Sequence, residues 1–149
     1  MPGKSPLGRV WLWAPPLAYM LLIFYLSAQS NPLPVLTENV WDKAIHAMEY
    51  AVLGVLFYRA FLGEGCPPVL AFAFAIAATS LYGGSDEWHQ LFTPGRSSDI
   101  HDWFADTLGG VLGIVAYLVA TTQWLRARSR PDSRMSINTA SRRTRRLPR

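Results

Sequence analysis

The sequence predicts an all-α membrane protein, built as a bundle of four transmembrane helices. Half of its 149 residues are hydrophobic, and its length is that of one domain. The apolar residues gather in four stretches, each close to the ~20 residues that cross a bilayer. Within residues 69–80 they run all round the helix, which is typical of a helix surrounded by lipid or by protein. The four predicted helices are 11–28, 43–62, 69–91 and 102–124.

The first and fourth stretches are regular membrane helices, because no ionisable residue interrupts their apolar runs. Pro15 and Pro16 are expected in the opening turns of the first helix, where a missing N–H donor costs little. The second and third stretches are less regular. The second begins "DKAIHAME" and the third ends "SDEWHQ", and charge next to lipid is expensive.

Basic residues orient the chain. Lys4 and Arg9 precede the first helix, Arg59 lies near the end of the second, and nine arginines follow the fourth. By the positive-inside rule both termini are cytoplasmic, in a multi-pass protein of the bacterial cytoplasmic membrane. The predicted organisation is a cytoplasmic N-terminus at 1–10, a membrane domain at 11–125 and a basic tail at 126–149.

The basic tail lacks apolar periodicity and is predicted to be disordered. Basic segments next to a membrane helix usually serve the anionic lipid surface, where each basic residue contributes ~1 kcal/mol. Membrane lipids are therefore the expected partners, and no nucleic acid is expected.

Acids and other polar residues of the last three helices concentrate at the end opposite to the basic segments. At 3.6 residues per turn, they share one face of each helix. These faces carry Asp42, His46, Glu49 and Tyr50 on the second helix, Tyr82, Asp86 and Gln90 on the third, and Asp99, Asp102 and Asp106 on the fourth. Glu87 lies about 100° round the third helix from its face. Ionisable residues inside a membrane normally face the bundle interior or a wet cavity. The sequence therefore predicts a polar cavity that opens to the outer surface.

Two local motifs support this cavity. Gly109 and Gly113 form a G-x3-G pair, which lets neighbouring helix backbones approach closely, and Gly83 and Gly84 are expected to do the same on the third helix. "TPGRS" at 93–97 is a turn by its Pro-Gly pair, and it could aim Arg96 back at the cavity.

Three blocks of this sequence, "DKAIHAMEYAVLG", "YGGSDEWHQLFTPGRSSD" and "DWFADTLGGVLG", together resemble the VanZ-like family of bacterial membrane proteins. The resemblance runs from "FYLSAQS" through the fourth helix. It implies a small four-helix membrane domain and a family whose founding member gives low-level resistance to teicoplanin. It also implies that many relatives carry Asn where this chain has Asp106. The family pattern maps onto Asp42, Lys43, His46, Tyr50, Asp86, Glu87, Gln90, Pro94, Arg96, Asp102 and Gly109.

One functional hypothesis is an enzyme that acts on a lipid or a lipid-linked envelope precursor. His46 is a candidate general acid or base, since its ordinary pKa lies near neutral. So many carboxylates must take up protons or hold a cation, and oxygen ligands favour Mg²⁺, Ca²⁺ or Mn²⁺. Arg96 would suit a phosphate headgroup. The candidate catalytic residues are Asp42, His46, Glu49, Tyr50, Asp86, Glu87, Gln90, Arg96, Asp102 and Asp106.

Two other interpretations use the same residues. The cluster could bind a lipid or another ligand without turnover, or conduct protons or cations, because acids and histidine in membranes serve both purposes. It could also be a structural salt network in which Lys43 and Arg96 neutralise nearby acids. The sequence alone leaves all three open.

Overall fold

The computed structural model describes residues 5–29 and 40–129, and within them the chain forms four α-helices and no strand. Side chains are described from residue 43 onward in the second helix. The helices are α1 (Pro6–Ser27), α2 (Val40–Glu64), α3 (Pro68–Gln90) and α4 (Ile100–Arg128). This confirms the all-α class and the number of helices, whereas all four helices begin earlier in the chain than predicted, α3 by a single residue.

The early start of α1 has a local cause. Ser5 is the N-cap, its hydroxyl accepts a hydrogen bond from the Gly8 N–H at 3.2 Å, and Pro6 follows it at the first helical position. The expectation for Pro15 and Pro16 was therefore wrong, because both lie inside the helix. Each removes one N–H donor from the helical ladder.

The helices run antiparallel, up and down along the chain. Where α1 begins, Trp13 donates to Glu64 at the end of α2, with 3.0 Å between Nε1 and Oε1. At the opposite end of the bundle, Gln90 at the end of α3 donates to Ser27 at the end of α1. We call this second end, where α1 and α3 finish and α2 and α4 begin, the acidic end.

The glycine pair of α4 packs against α2, and no side chain separates the two backbones. A Cβ atom on Gly109 would lie 2.7 Å from the Cα of Ala47, and one on Gly113 would lie 2.7 Å from the Cα of Ala51. Both distances are shorter than any real contact of a Cβ atom. The close approach carries the polar residues that precede Gly109 on α4 towards those of α2.

Between the two ends lies an apolar core, whose fully buried members include Tyr50, Leu53 and Ile114. Large hydrophobic side chains also cover the outside of the bundle, as Leu21, Val69 and Leu81 illustrate. Outward-facing apolar side chains are suited to lipid, and all four helices are long and apolar enough to cross a membrane. The chain is a multi-pass membrane protein.

The chain divides into two compact units, Met1–Tyr117 and Leu118–Arg149. Of the second unit the structure describes residues 118–129, the last turns of α4. There the Thr122 hydroxyl donates to the carbonyl of Leu118 at 2.9 Å, and the Arg128 guanidinium lies 4.6 Å above the Trp124 ring. The predicted tail lies largely outside the described residues.

Candidate functional site

The outermost layer of the acidic end is built around the start of α4. Asp99 is the N-cap residue, because its Oδ1 accepts from the backbone N–H of His101 at 2.9 Å. Lys43 on α2 bridges Asp99 and Asp102, with Nζ 3.0 Å from Oδ2 of Asp99 and 2.7 Å from Oδ1 of Asp102. The hydrogen bond from His101 and the ammonium of Lys43 hold the pKa of Asp99 well below its ordinary value.

A buried histidine–carboxylate pair lies one helical turn deeper. Nδ1 of His46 on α2 is 3.0 Å from Oδ1 of Asp106 on α4. The exposed fractions of the two residues are 6% and 0%. Gly83 on α3 makes room for this carboxylate, since a Cβ atom there would lie 2.8 Å from Oδ2 of Asp106. The pair therefore lies where three helices meet.

The end of α3 adds two more buried carboxylates. Asp86 and Glu87 are only 4% and 5% exposed. Oε2 of Glu87 accepts from the backbone N–H of Asp99 at 2.8 Å, which ties α3 to the cap of α4. Gln90 spans the remaining gap: its Nε2 is 3.1 Å from Oγ of Ser27 and 3.4 Å from Oδ2 of Asp86. Asp86 thus faces α1, whereas Glu87 faces α4.

Several buried oxygen atoms of this region make no hydrogen bond to any residue the structure describes. A buried polar atom left without a partner costs about 1–3 kcal/mol. Such atoms are therefore rare unless they serve a function. They are the Tyr50 hydroxyl, the Thr79 hydroxyl, Oδ1 of Asp86, Oε1 of Glu87 and Oδ2 of Asp106.

Three of the buried side chains could hold a metal ion together. A ring nitrogen of His46, one oxygen of Glu87 and one oxygen of Asp106 lie within 4.8 Å of one another. Each comes from a different helix, and all three residues are buried. Asp99 and Asp102, by contrast, are paired with Lys43.

A cavity of about 320 Å³ opens on the side of the bundle between α1 and α3. Phe24 on α1 and Trp88 on α3 are both largely exposed and form its outer walls, and Phe92 lies just beyond the end of α3. Its polar lining includes Asp86 and His89, and the His89 ring stacks on Phe24 with 4.4 Å between centroids. The cavity therefore joins the lipid-facing surface to a buried carboxylate.

The structure brings most of the predicted site residues to one level. Glu49 is half-buried and has His46, Asp86 and Asp106 as electrostatic neighbours. Tyr50 is fully buried, and its ring lies beside that of Tyr82 at 6.2 Å between centroids. Together with the residues above, the convergent set is His46, Glu49, Tyr50, Asp86, Glu87, Gln90 and Asp106.

Three predicted site residues are not counted in this set, although Asp102 is an electrostatic neighbour of Glu87 and Asp106, and Arg96 is one of Glu49. Asp102 is buried but paired with Lys43, which favours a structural role. Arg96 is half-buried, and its Nε donates to the carbonyl of Gln29 at 3.3 Å, so it ties the loop after α3 to the end of α1. The side chain of Asp42 lies outside the described residues.

Sequence reasoning missed two participants. Ser27 accepts from Gln90 and is buried, although a lone serine in an apolar helix gives little signal. Thr79 is fully buried on α3, where a Cβ atom on Gly110 would lie 2.8 Å from its methyl carbon. Its place one turn before Gly83, on the face that carries Asp86, could have identified it.

Comparison with known proteins gives one result. A family model described as VanZ/LLP1 matches residues 11–121, which covers all three motif blocks. No curated protein and no solved structure matches the chain. Since the match extends over well more than half of the sequence and the fold is a four-helix membrane bundle, this chain belongs to the VanZ/LLP1 family.

Proposed function

We propose that this protein cleaves the headgroup of a lipid or lipid-linked envelope substrate at the buried cluster of the acidic end. The observation that carries the proposal is the side cavity, whose walls are exposed to lipid and whose lining includes Asp86. A lipid chain would lie against Phe24 and Trp88 while its headgroup reaches the carboxylates. A water-soluble substrate would have no use for an apolar opening on the side of a membrane bundle.

His46 is the proposed general base, and Asp106 orients its ring through the 3.0 Å contact at Nδ1. For a phosphoester lipid, His46 takes one proton from water, the water oxygen bonds to phosphorus, and the P–O bond to the leaving group breaks. The proton then passes from His46 to the leaving oxygen, so that water is the only co-reactant. Because the pair is buried, little bulk water surrounds it to compete for hydrogen bonds with the reacting groups.

The location follows from the charge pattern of the sequence. Basic residues lie before α1 and after α4, and both termini are therefore placed in the cytoplasm by the positive-inside rule. The acidic end then lies near the outer surface of the bacterial cytoplasmic membrane, where lipid-linked envelope precursors are used. The resemblance to VanZ-like proteins further supports an effect on susceptibility to teicoplanin.

The test uses full-length protein in lipid nanodiscs. Prenyl-phosphate-linked precursors and glycerophospholipids with labelled headgroups are added, and products are separated over time. We expect label to be released by the native protein and not by the His46→Gln variant. Retention of intact label on the protein would instead indicate a binding protein. If label were neither released nor retained, the proposal would be refuted.

The second candidate function is a path for protons or cations through the same cluster. Unpartnered carboxylate oxygens beside a histidine favour it, because such groups also build proton relays in membranes. Liposomes containing the protein and a pH-sensitive dye distinguish the two. A proton or cation path predicts an ion flux into the liposomes that the Glu87→Gln variant lacks. The enzyme hypothesis requires no ion flux.

The cellular consequence is tested by expression in a teicoplanin-sensitive bacterium. We expect the native chain to raise the inhibitory concentration of teicoplanin and the His46→Gln variant, at equal membrane abundance, to leave it unchanged. An equal rise in the inhibitory concentration with both proteins would show that the resistance does not depend on the buried cluster.

A further inference from the structure

We propose that His46, Glu87 and Asp106 bind a divalent cation between α2, α3 and α4. The proposal rests on the proposed function and revises one role in it: with the cation bound, His46 would be a ligand and not the general base, and the cation would activate the water instead. A cation at this position would favour a substrate that carries phosphate. Its binding, however, can be measured without any turnover.

The geometry suits a metal ion. Hard divalent cations bind oxygen at about 2.1–2.5 Å, so two ligand atoms on one ion are about 3–4.8 Å apart. The three ligand atoms lie within 4.8 Å of one another, and a small contraction brings them to bonding distance. They come from three helices that close backbone packing holds together, as the contact of Gly109 with Ala47 shows.

The charge balance points to the same conclusion. Asp86, Glu87 and Asp106 are buried, yet the ion pairs of the described residues reach only Asp106 among them, through His46. Buried carboxylates are normally paired or bound to a metal. A bound cation would compensate the charge of Glu87 and Asp106 directly and that of Asp86 from close by.

Unpartnered atoms supply an independent observation. The Tyr50 hydroxyl is fully buried, makes no hydrogen bond to a described residue, and has Asp86 and Asp106 as electrostatic neighbours. One oxygen each of Glu87 and Asp106 is likewise without a partner. Two of these oxygens belong to proposed metal ligands, and the Tyr50 hydroxyl is an electrostatic neighbour of Asp106, so a cation or its coordinated water would give them partners.

The ligand set favours Mn²⁺. Carboxylate oxygens suit Mg²⁺, Ca²⁺ and Mn²⁺, whereas imidazole suits the transition metals. One imidazole with two carboxylates therefore fits an ion that accepts both kinds of ligand. A bound cation would polarise a phosphoryl oxygen of the substrate. A phosphate-bearing lipid is then the substrate class of the site.

The experiment measures binding of Mn²⁺ alone to full-length protein in detergent, by equilibrium dialysis and by the loss of the free-ion electron paramagnetic resonance signal. We expect one ion per chain. Glu87→Gln keeps the shape of the side chain and should weaken binding by at least about 10-fold, the lower bound for loss of even an outer-sphere partner. The matched control is Glu64→Gln, the same change on α2 away from the cluster, which should bind as the native protein does.

His46→Gln is the second variant, so that one failure to fold does not decide the outcome; folding is checked by thermal unfolding. Absence of binding by the native protein, or equal binding by the native protein and Glu87→Gln, would overturn the proposal. The two proposals fail separately. Mn²⁺ binding without lipid turnover would refute the enzyme alone, whereas lipid turnover by a protein that binds no Mn²⁺ would refute the cation site alone.

Discussion

The two ends of the bundle use similar side chains in opposite ways. Away from the acidic end, Glu64 lies where α2 finishes, accepts a hydrogen bond from Trp13 and is 3.5 Å from the Nε atom of Arg9. Arg9 is largely exposed, so the ion pair is screened by water and contributes at most about 1 kcal/mol. At the acidic end, by contrast, Glu87 is buried, with no ion-pair partner among residues 5–29 and 43–129.

The difference teaches that a buried acid without a cation is a candidate for function, whereas a solvated or paired acid is accounted for by the fold. Glu64 lies where water can solvate it, and its removal leaves no buried charge behind. Glu87 and Asp86 lie in a dry setting, where an acid without a cation costs stability. The same reasoning divides the acidic end itself, because Asp102 pairs with Lys43, whereas Asp86 has no such cation within the described part of the chain.

The largest expected effect comes from substitution of the buried acids themselves. Asp86→Asn and Glu87→Gln should each lower lipid turnover by about 10- to 100-fold, the usual cost of losing a group that holds or orients the reacting centre. Neither should lower the unfolding temperature, because each removes a buried charge. Turnover of labelled lipid and thermal unfolding are measured on the same samples. Glu64→Gln is the control, and full turnover in both variants would show that the buried acids are not the site.

The second prediction concerns the packing that creates the acidic cluster. Gly109→Ala places a Cβ atom against the backbone of Ala47 and should cost about 1–3 kcal/mol, since the helices must move apart. Gly84→Ala is the matched control, because its nearest neighbour, the Nε1 atom of Trp103, would be 3.6 Å away. Unfolding by denaturing detergent measures both. Equal stability of the two variants would contradict close contact of α2 and α4.

A third, smaller effect sharpens the distinction within the acidic end. Lys43→Met leaves Asp102 buried without its cation, and should cost about 1–2 kcal/mol because Lys43 itself is partly exposed. Adding Asp102→Asn should recover part of that loss. The free energies of unfolding of the single and double variants form a cycle. Strict additivity would mean that the ion pair contributes nothing.

The smallest expected effect is a pH dependence at the cap of α4. The pKa of Asp99 is lower in the folded protein than its unfolded value of about 3.9. Its contribution to stability is therefore complete above that pH and is lost as the pH falls from about 4 towards the folded pKa. The difference in unfolding temperature between the native protein and Asp99→Asn should shrink below pH 4. If the difference in unfolding temperature did not change with pH, the cap at Asp99 would not contribute to the acid sensitivity of the protein.

Much of the fold could be predicted from the sequence, because a membrane helix is a local property of about 20 apolar residues. The errors were at the ends. The cap at Ser5 extends α1 by five residues, and short-range capping is easily lost beside a strong hydropathy signal. The consequence was the misplacement of Pro15 and Pro16 in the opening turns.

The candidate site was predictable only in part. Helical spacing placed His46 and Glu49 on one face of α2 and Asp106 on a face of α4 with its glycines. It could not identify which acids pair with cations, because the ion pair of Lys43 with Asp102 joins two different helices. Arg96 had been expected to point at the cavity, and its hydrogen bond to Gln29 depends on the path of a loop that has no periodicity.

The sequence by itself determined the membrane-spanning helices, the end of the bundle that gathers the acids, and the faces that carry them. These depend on side-chain chemistry and on the fixed geometry of one helix. Only the tertiary structure decided that His46 meets Asp106, that Glu87 comes within metal-ligand distance of both, and that Asp86 borders a cavity open to lipid. Those relations depend on the rotation and separation of helices about one another. Packing of the whole bundle fixes both, and no single stretch of sequence encodes them.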